Sequence, residues 1–255
     1  MIPIKSEEEI KILAEAGEIL ARMMEEIKQS VKPRIKTLVL ERLAEELAQK
    51  ESVGLAFKGY KGFPAGICIS VNDEIVHGIP GERIINEGDI VSLDLGVRYK
   101  GFYSDMAVTV AAGKIDPATK KLIQVTKEAL DIGIKQAQPN NRVFDISCAI
   151  QKHVEKNGFS VVRQFVGHGI GTNLHEEPEV PNFGLAHQGE TLRTGMVIAI
   201  EPMANMGSWE CEILNNGWTA VTKDRCVSAH FEHTIAITEK GPKILTQHQA
   251  KVLSY

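Results

Sequence analysis

The predicted elements occur in the same order twice along the chain, and this repeat is the strongest constraint on the fold. Two helical segments precede several short strand segments in residues 1–115, and the same order recurs in residues 116–255. The repeat is one of pattern, with little residue identity between the halves. We therefore predict one α+β domain over residues 1–255, in which helices cover one face of a mostly antiparallel sheet and leave the other face free for a site.

Four helices are predicted from capping signals and apolar spacing. Ser6 and Glu9 have the spacing of a capping box, and apolar residues at helical intervals follow as far as Ile27. The other helices are predicted at Leu38–Lys50, from Asp116 and Pro117 to about Ala137, and at Val143–Lys156.

Short β-rich runs predict the strands. They lie at Ile67–Val71, Ile75–His77, Ile90–Val97, Tyr103–Val110, from Val161 onward, Val197–Met203, Glu210–Leu214, Trp218–Thr222 and Ala229–Thr238. The Gly- and Pro-containing stretch Gly54–Gly66 is predicted to be a loop. Tyr99-Lys100-Gly101 should join two strands as a hairpin, and Asn216-Gly217 predicts a type I′ turn.

Isolated ionisable residues interrupt the apolar runs of the predicted strands. They are Asp94, Asp105, His168, Glu201 and Glu232. An unpaired carboxylate in an apolar setting costs several kcal/mol or becomes neutral, so four carboxylates with an imidazole favour a site for two divalent cations. Glycines flank His168 and would let the backbone approach a ligand closely. Any one such acid would more often face solvent on an open sheet, and spacing alone does not show that the five meet.

Composition excludes several classes of protein. The net charge is −4, and the basic residues form no tract that could neutralise a phosphate backbone, so nucleic acid is not expected as a primary partner. The first residues lack a signal-peptide pattern and no apolar run approaches the roughly 18 residues of a membrane span, so we expect a cytoplasmic protein. The four cysteines form no C-x-x-C pair, which predicts reduced thiols.

Six short segments resemble, in order, the motifs of the type I methionine aminopeptidases of the peptidase M24 family. They are Asn72–Pro80, Asp94–Asp105, Gly167–Gly171, His175–Pro178, Ile200–Met203 and Phe231–Thr234. The resemblance runs across nearly the whole chain. It implies a duplicated pita-bread fold, shared with creatinase, with a dinuclear metal centre in the concave face of the sheet.

By this resemblance, the five ionisable residues are the ligands of two divalent metal ions. Asp105 and Glu232 would bridge the ions, Asp94 would hold one, and His168 with Glu201 would hold the other. Hard carboxylates with one imidazole suit cobalt, manganese, iron(II) or zinc.

The family's reaction is removal of the amino-terminal methionine from nascent proteins and peptides, with preference for a small second residue. A hydroxide held between the ions would attack the first carbonyl, and Glu201 would also shuttle the proton. The resemblance makes His175 a donor to the developing oxyanion, and His77 a contact for the substrate amide or α-amine. Outside its motif, His77 would be interpreted as a loop residue at a strand end.

The resemblance also implies an apolar pocket for the methionine side chain, with His77 at its edge. Its walls would be Phe57, Tyr60, Phe63, Cys68 and Trp218. For Phe57 and Cys68, ordinary core packing is the alternative interpretation. The chain departs from frequent family choices at Leu174, Phe63 and His230, where an aromatic residue, a tyrosine and a glutamine are common.

The resemblance also implies a subtype, an oligomeric state and a partner. Without an amino-terminal zinc-binding extension or a long second-half insertion, the chain is expected to be the minimal form. A monomer is expected because the family usually is one, and the ribosome is a candidate partner because the family acts on nascent chains. An aminopeptidase for proline-containing peptides is the nearest alternative enzyme. A binding protein that has lost the metal is the alternative from another class, although all five ligand positions hold competent residues.

Overall fold

The computed structural model describes residues 2–247, so residue 1 and residues 248–255 of the predicted domain lie outside the described part. The helices are α1 (Glu7–Ser30), α2 (Thr37–Glu51), α3 (Pro117–Gln136) and α4 (Val143–Lys156). The strands are β1 (Gly54–Leu55), β2 (Cys68–Val71), β3 (Glu74–Val76), β4 (Ile90–Tyr99), β5 (Phe102–Ala111), β6 (Ser160–Val161), β7 (Gly167–Gly169), β8 (Glu176–Val180), β9 (Val197–Ile200), β10 (Met203–Asn205), β11 (Cys211–Ile213), β12 (Ala220–Thr222), β13 (Ser228–His230), β14 (Glu232–Thr238) and β15 (Gly241–Ile244).

Helices α1 and α3 begin where the capping signals predicted. The Ser6 side chain accepts from the Glu9 N–H, and the Glu9 carboxylate accepts from the Ser6 N–H, which completes the capping box of α1. The Asp116 side chain caps α3, with Pro117 at its first position. No helix in residues 2–247 is long and apolar enough to cross a membrane.

A nine-stranded antiparallel sheet forms the centre of the molecule. Its path is β1-β4-β5-β14-β9-β7-β8, with β2 paired to β4 and β15 paired to β14. Two three-stranded sheets, β13-β10-β6 and β11-β12-β3, flank it. The helices with the mostly antiparallel sheet confirm the predicted pita-bread fold class.

Each helix pair covers its own apolar core. Leu93 and Leu95 of β4 pack with the buried side of α1 and α2, and strands β9 and β14 contribute Ile198 and Ile235 to the core under α3 and α4. These separate cores support the proposed division into two halves near residue 115, which stays a prediction.

Alternation along the long hairpin separates its two faces. Leu93 and Leu95 enter the helix-side core, while Ser92 and Asp94 lie on the opposite face because successive side chains alternate. The hairpin turn is Lys100-Gly101, whose φ values of 48° and 87° fit a type I′ turn. The sheet therefore presents a polar face away from the helices.

Several predicted boundaries are wrong for local reasons. The predicted strand Val197–Met203 breaks after Ile200, and Ala229–Thr238 breaks at Phe231, so each run divides between two sheets. Glu201 and Glu232 lie at these breaks. The predicted loop Gly54–Gly66 contains strand β1 and a 3-10 turn at Tyr60–Gly62.

The type I′ turn predicted at Asn216-Gly217 is also wrong. That turn needs positive φ at both residues, and only Gly217 has it, at 77°. The Asn216 side-chain oxygen instead accepts hydrogen bonds from the Trp218 and Thr219 N–H groups. Trp218 consequently lies in the loop and not in the predicted strand, which begins at Ala220. All four cysteines are free thiols.

Candidate metal centre

A cavity of about 170 Å³ lies against the polar face of the sheet. Every residue predicted as a ligand, a catalytic group or a pocket wall lines it, together with two residues that were assigned no role. The lining is Phe57, Tyr60, Lys61, Phe63, Cys68, His77, Asp94, Asp105, His168, Leu174, His175, Glu201, Trp218 and Glu232. The fold thus brings the predicted residues together, while their individual roles stay predictions.

Strand register gathers three of the carboxylates. Asp94 on β4 lies opposite Ala107 on β5, and Ala107 lies opposite Glu232 on β14. Asp105 is two residues from Ala107 and therefore shares its face. Because the side chain of Ala107 is a single methyl group, the three acids around it can approach one another.

Hydrogen bonds fix β5 against β14 at this point. The Asp105 N–H donates to the Thr234 side-chain oxygen, and the Thr234 hydroxyl donates to the Asp105 carbonyl. Thr234 is fully buried. This reciprocal pair holds the backbone of Asp105 at a set distance from the strand that carries Glu232.

His168 and Glu201 reach the cavity from the second half. Glu201 follows β9 and precedes Pro202, which ends the pairing of that strand. His168 is on β7, where a Cβ at Gly169 would lie 2.1 Å from the Glu177 carbonyl oxygen. Gly169 therefore admits the neighbouring strand β8, which corrects the expectation that the flanking glycines make room for a ligand.

The five ionisable side chains form one connected group. Asp105, His168 and Glu232 each offer a ligand atom within 4.8 Å of the other two. Besides burial, the charge of Asp105 acts on Asp94 and raises the pKa of that carboxyl, and the Glu201 Oε1 atom is 3.7 Å from the His168 Nε2 atom. Asp105, His168 and Glu232 are buried, while Asp94 and Glu201 are partly exposed toward the cavity.

Burial and mutual repulsion disfavour the ionised carboxylates. Burial, reinforced by the neighbouring acids, raises the pKa of Asp94, Glu201 and Glu232 well above the usual range. Burial also raises the pKa of Asp105 to about 7. One or more positive charges within the group would reverse this effect.

The donor atoms fit divalent cations. Asp94 Oδ1, Asp105 Oδ1 and Glu232 Oε1 are buried without a hydrogen-bond partner. The His168 Nδ1 atom lies 2.9 Å from the Gly169 carbonyl oxygen, so Nδ1–H donates there and Nε2 keeps a free lone pair. Burial lowers the pKa of His168 to about 4, so the imidazole is neutral at pH 7. Orphaned carboxylate oxygens with one neutral imidazole are the ligands that such cations need.

Aromatic residues and histidines form the rest of the cavity wall. The His175 ring stacks on Tyr60 and tilts against His168, with centroids 5.2 Å and 4.2 Å apart. The Tyr60 hydroxyl lies 2.9 Å from the His175 Nδ1 atom. Phe63 and Trp218 meet edge to face. The cavity therefore has an apolar aromatic side next to its carboxylate side.

Sequence reasoning missed several residues that belong to this environment. Lys61 reaches the rim because the 3-10 turn folds back at positive φ, and Phe165 packs edge-on against the His77 ring. Leu174 was noted only as a departure from the family. His230 lies with Nε2 3.6 Å from the Glu201 Oε2 atom. No spacing signal marks Lys61 or Phe165, because their positions depend on how loops fold.

We expect the chelated, metal-free protein to lose stability between pH 6.5 and pH 8. An acid with a raised folded-state pKa binds more protons when folded, so its contribution to stability falls as pH rises. Asp105, with a pKa of about 7, contributes on the order of 1 kcal/mol over this interval, or about 3 °C in Tm for a chain of this size. The raised pKa values of Asp94, Glu201 and Glu232 add to this loss of stability.

Thermal denaturation measures this effect. The buried histidines, whose pKa values are lowered, act in the opposite direction near pH 6.5, because their imidazoles begin to bind protons there in the unfolded state but not in the folded state. The raised pKa values of the four acids together are expected to outweigh them. Excess divalent metal should raise the Tm most at pH 8. A Tm that increases from pH 6.5 to pH 8 without metal would contradict the electrostatic description of the site.

Comparison with known proteins adds independent information. Residues 11–239 match metallopeptidase family M24. The chain is 51% identical over 246 residues to a methionine aminopeptidase of Clostridium perfringens, covering 96% of this chain and 99% of that one. It is 49% identical over 247 residues to methionine aminopeptidase 1 of Bacillus subtilis, covering 97% of this chain and 100% of that one.

Solved structures show the same relationship. The methionine aminopeptidase of Thermotoga maritima superposes with a TM-score of 0.96 at 45% identity, covering 97% of this chain and 100% of that chain. A prolidase of Pyrococcus horikoshii has a TM-score of 0.78 at 25% identity and is covered over 65% of its length. The likeness to the first spans both chains, whereas the prolidase has a further third outside the match.

Proposed function

Because the chain belongs to the methionine aminopeptidases of metallopeptidase family M24, it removes amino-terminal methionine in a metal-dependent reaction, and we propose that the cavity on the polar face of the sheet is its active site. Nascent peptides are its substrates. The observation that carries the proposal is the group of buried, partnerless carboxylate oxygens beside an aromatic pocket.

We propose that the site holds two divalent ions, from among cobalt, manganese, iron(II) and zinc. Asp105 and Glu232 would contact both ions, Asp94 would hold one, and His168 with Glu201 the other. Five ligand residues are more than a single tetrahedral ion needs, which supports two. Such ions supply Lewis acidity and lower the pKa of an attacking water.

Glu201 is suited to move the proton. Its carboxylate lies beside the proposed metal ligand His168 and lines the cavity, so it could take a proton from the attacking water and return it to the leaving amine. Imidazoles of His168 and His230 lie 3.7 Å and 3.6 Å from its two oxygens and limit where its carboxylate can turn.

His175 and His77 would act on the substrate as neutral imidazoles. Burial is the main cause, and repulsion from the nearby His168 a smaller one, of a pKa of about 3 for His175. Burial also lowers the pKa of His77. When the Tyr60 hydroxyl donates to His175 Nδ1, the proton of the imidazole is on Nε2, which can then donate to the developing oxyanion. His77, at the pocket edge with φ of 59°, would contact the amide or α-amine.

The aromatic side of the cavity would select methionine. Phe57, Phe63 and Cys68 are buried in one apolar cluster, with Tyr60 and Trp218 packed against it. A thioether gains about 0.3–1.5 kcal/mol from sulfur–aromatic contacts in addition to burial. A small second residue is expected because that is the preference of the family.

The decisive experiment is release of free methionine from Met-Ala-Ser by protein reconstituted with each candidate metal. Methionine release with metal and none after chelation is expected. Failure to cleave with any of the four metals would reject the activity. Parallel titration should reach two equivalents of metal per chain, and saturation at one equivalent would reject the dinuclear proposal alone.

The alternative enzyme is tested with Met-Pro-X and Ala-Pro-X peptides. A methionine pocket predicts cleavage of the first only, because only that peptide offers a thioether. Equal cleavage of both would favour an aminopeptidase for proline-containing peptides, which the likeness to prolidases keeps as the second candidate.

Replacing Tyr60 with Phe should lower kcat by roughly three- to tenfold with KM within about twofold. The change removes the hydroxyl that contacts His175 Nδ1, so the imidazole is no longer held in the tautomer with its proton on Nε2. The aromatic ring at position 60 remains in the cavity wall. Tyr103→Phe is the matched control, because Tyr103 packs against the same apolar cluster outside the cavity lining. An unchanged kcat in Tyr60→Phe would remove this role from the hydroxyl.

A monomeric state, a cytoplasmic location and a ribosome contact stay predictions of this proposal. Sedimentation of the purified protein tests the first, fractionation of cells the second, and co-sedimentation with ribosomes the third.

A further inference from the structure

The segment before α1 is fastened to the loop that carries His175. The Lys5 N–H donates to the Gly195 carbonyl oxygen over 2.8 Å, and the Lys5 Nζ atom donates to the Glu176 Oε2 atom over 2.5 Å. The two side chains are only 5% and 4% exposed. This is a buried ion pair between residues 171 positions apart.

Glu176 also organises its own loop. Its Oε1 atom accepts from the Asn173 N–H at 3.0 Å and from the Thr172 hydroxyl at 3.3 Å. Burial raises the pKa of Glu176, but hydrogen bonds from Lys5 and Asn173 outweigh burial and hold that pKa below its usual value. The carboxylate is therefore ionised, and it ties the loop at one end to Lys5 and at the other to Asn173.

Space in the loop is shaped around Lys5. A Cβ at Gly171 would lie 2.4 Å from the Lys5 Cε atom, so a larger residue there would displace the lysine. The Gly171 carbonyl accepts from the Tyr103 N–H, which anchors this end of the loop to β5. The backbone conformation is therefore restricted at both Gly171 and Glu176. His175 lies between these two fixed points, directly before Glu176.

A buried ion pair is an expensive way to gain stability, because desolvation of both charges offsets most of their attraction. An apolar pair could fill the same space. The pair can instead fix the position of its neighbour. His175, next to Glu176 in the sequence, lines the cavity and stacks on Tyr60.

We propose that Lys5 and Glu176 are positioning residues that hold His175 in the orientation needed to donate to the oxyanion. Neither residue lines the cavity, so both act through the loop and not on the substrate. The inference rests on the proposed role of His175 in methionine release. It assigns a function in catalysis to the segment that precedes the first helix.

A double-mutant cycle between Lys5→Met and His175→Ala tests the proposal. Lys5→Met is expected to lower kcat by about tenfold with KM within about twofold, as for other residues that orient a catalytic group. In the His175→Ala background, the same change should lower kcat by less than about twofold, because the group it positions is gone. Equal reductions in both backgrounds, or no reduction in either, would overturn the proposal.

Arg22→Met is the matched control. It removes a partly buried ion pair between α1 and α2, in which Arg22 Nη2 lies 2.7 Å from Glu51 Oε2. It should lower Tm without changing kcat. If Lys5→Met lowers Tm as well, the cycle still separates the two effects, since a general loss of stability would act in both backgrounds.

A milder variant and a second measurement apply if Lys5→Met does not fold. Glu176→Asp keeps the charge but is one methylene too short to reach both Lys5 and Asn173. It should shift the imidazole ¹⁵N resonances of His175, and Arg22→Met should leave them in place. Unshifted resonances in Glu176→Asp would overturn the proposal regardless of activity. Wild-type protein that releases no methionine would instead reject the proposed function.

Discussion

Asp105→Asn is expected to release methionine from Met-Ala-Ser at least about 10³-fold more slowly than the wild type. Asp105 is buried at the centre of the ionisable group and is proposed to contact both ions. Bound metal supplies several kcal/mol of transition-state stabilisation, and each 1.36 kcal/mol is a factor of ten in rate. Asparagine has the same shape but lacks the negative charge, so metal binding should weaken in parallel.

Steady-state kinetics and metal titration measure the two effects together. Asp131→Asn, at an exposed position of α3, is the matched control and should behave as wild type. Metal-free Asp105→Asn should be at least as thermostable as metal-free wild type at pH 8, because one repelling charge is removed. A variant that folds, binds less metal and still cleaves at the wild-type rate would refute the proposed site.

His175→Ala should lower kcat by about 10² to 10³ while KM changes little, the size of effect seen when an oxyanion donor is removed. Metal stoichiometry should stay at the wild-type value, because His175 is not one of the proposed ligands. This separates it from Asp105→Asn. Activity and metal content together therefore distinguish loss of the donor from loss of the ions.

His187→Ala is the control for His175→Ala. His187 has a side chain that is 89% exposed and is absent from the cavity lining. It should leave kcat unchanged. A His175→Ala variant that loses its metal, or one that matches His187→Ala in kcat, would assign His175 another role.

The helices and the long hairpin were predictable because their signals are local. The Ser6 and Glu9 capping box, the proline that opens α3 and the alternation through Leu93 and Asp94 each depend on residues a few positions apart. Strand breaks at Glu201 and Glu232 were not predictable in this way. Continuous apolar runs do not indicate where a chain passes from one sheet to another.

The chemistry of the site follows from residue types that the sequence contains. Carboxylates that are buried within apolar strands require compensation, and six motifs in family order identified the reaction. Tertiary structure alone decided that Asp94, Asp105 and Glu232 surround one alanine, because that depends on pairing between distant strands. The same holds for Lys5 and Glu176, which lie 171 positions apart in the sequence and meet only in the folded protein. Local signals specify elements and chemistry, whereas long-range register and loop packing decide which side chains meet.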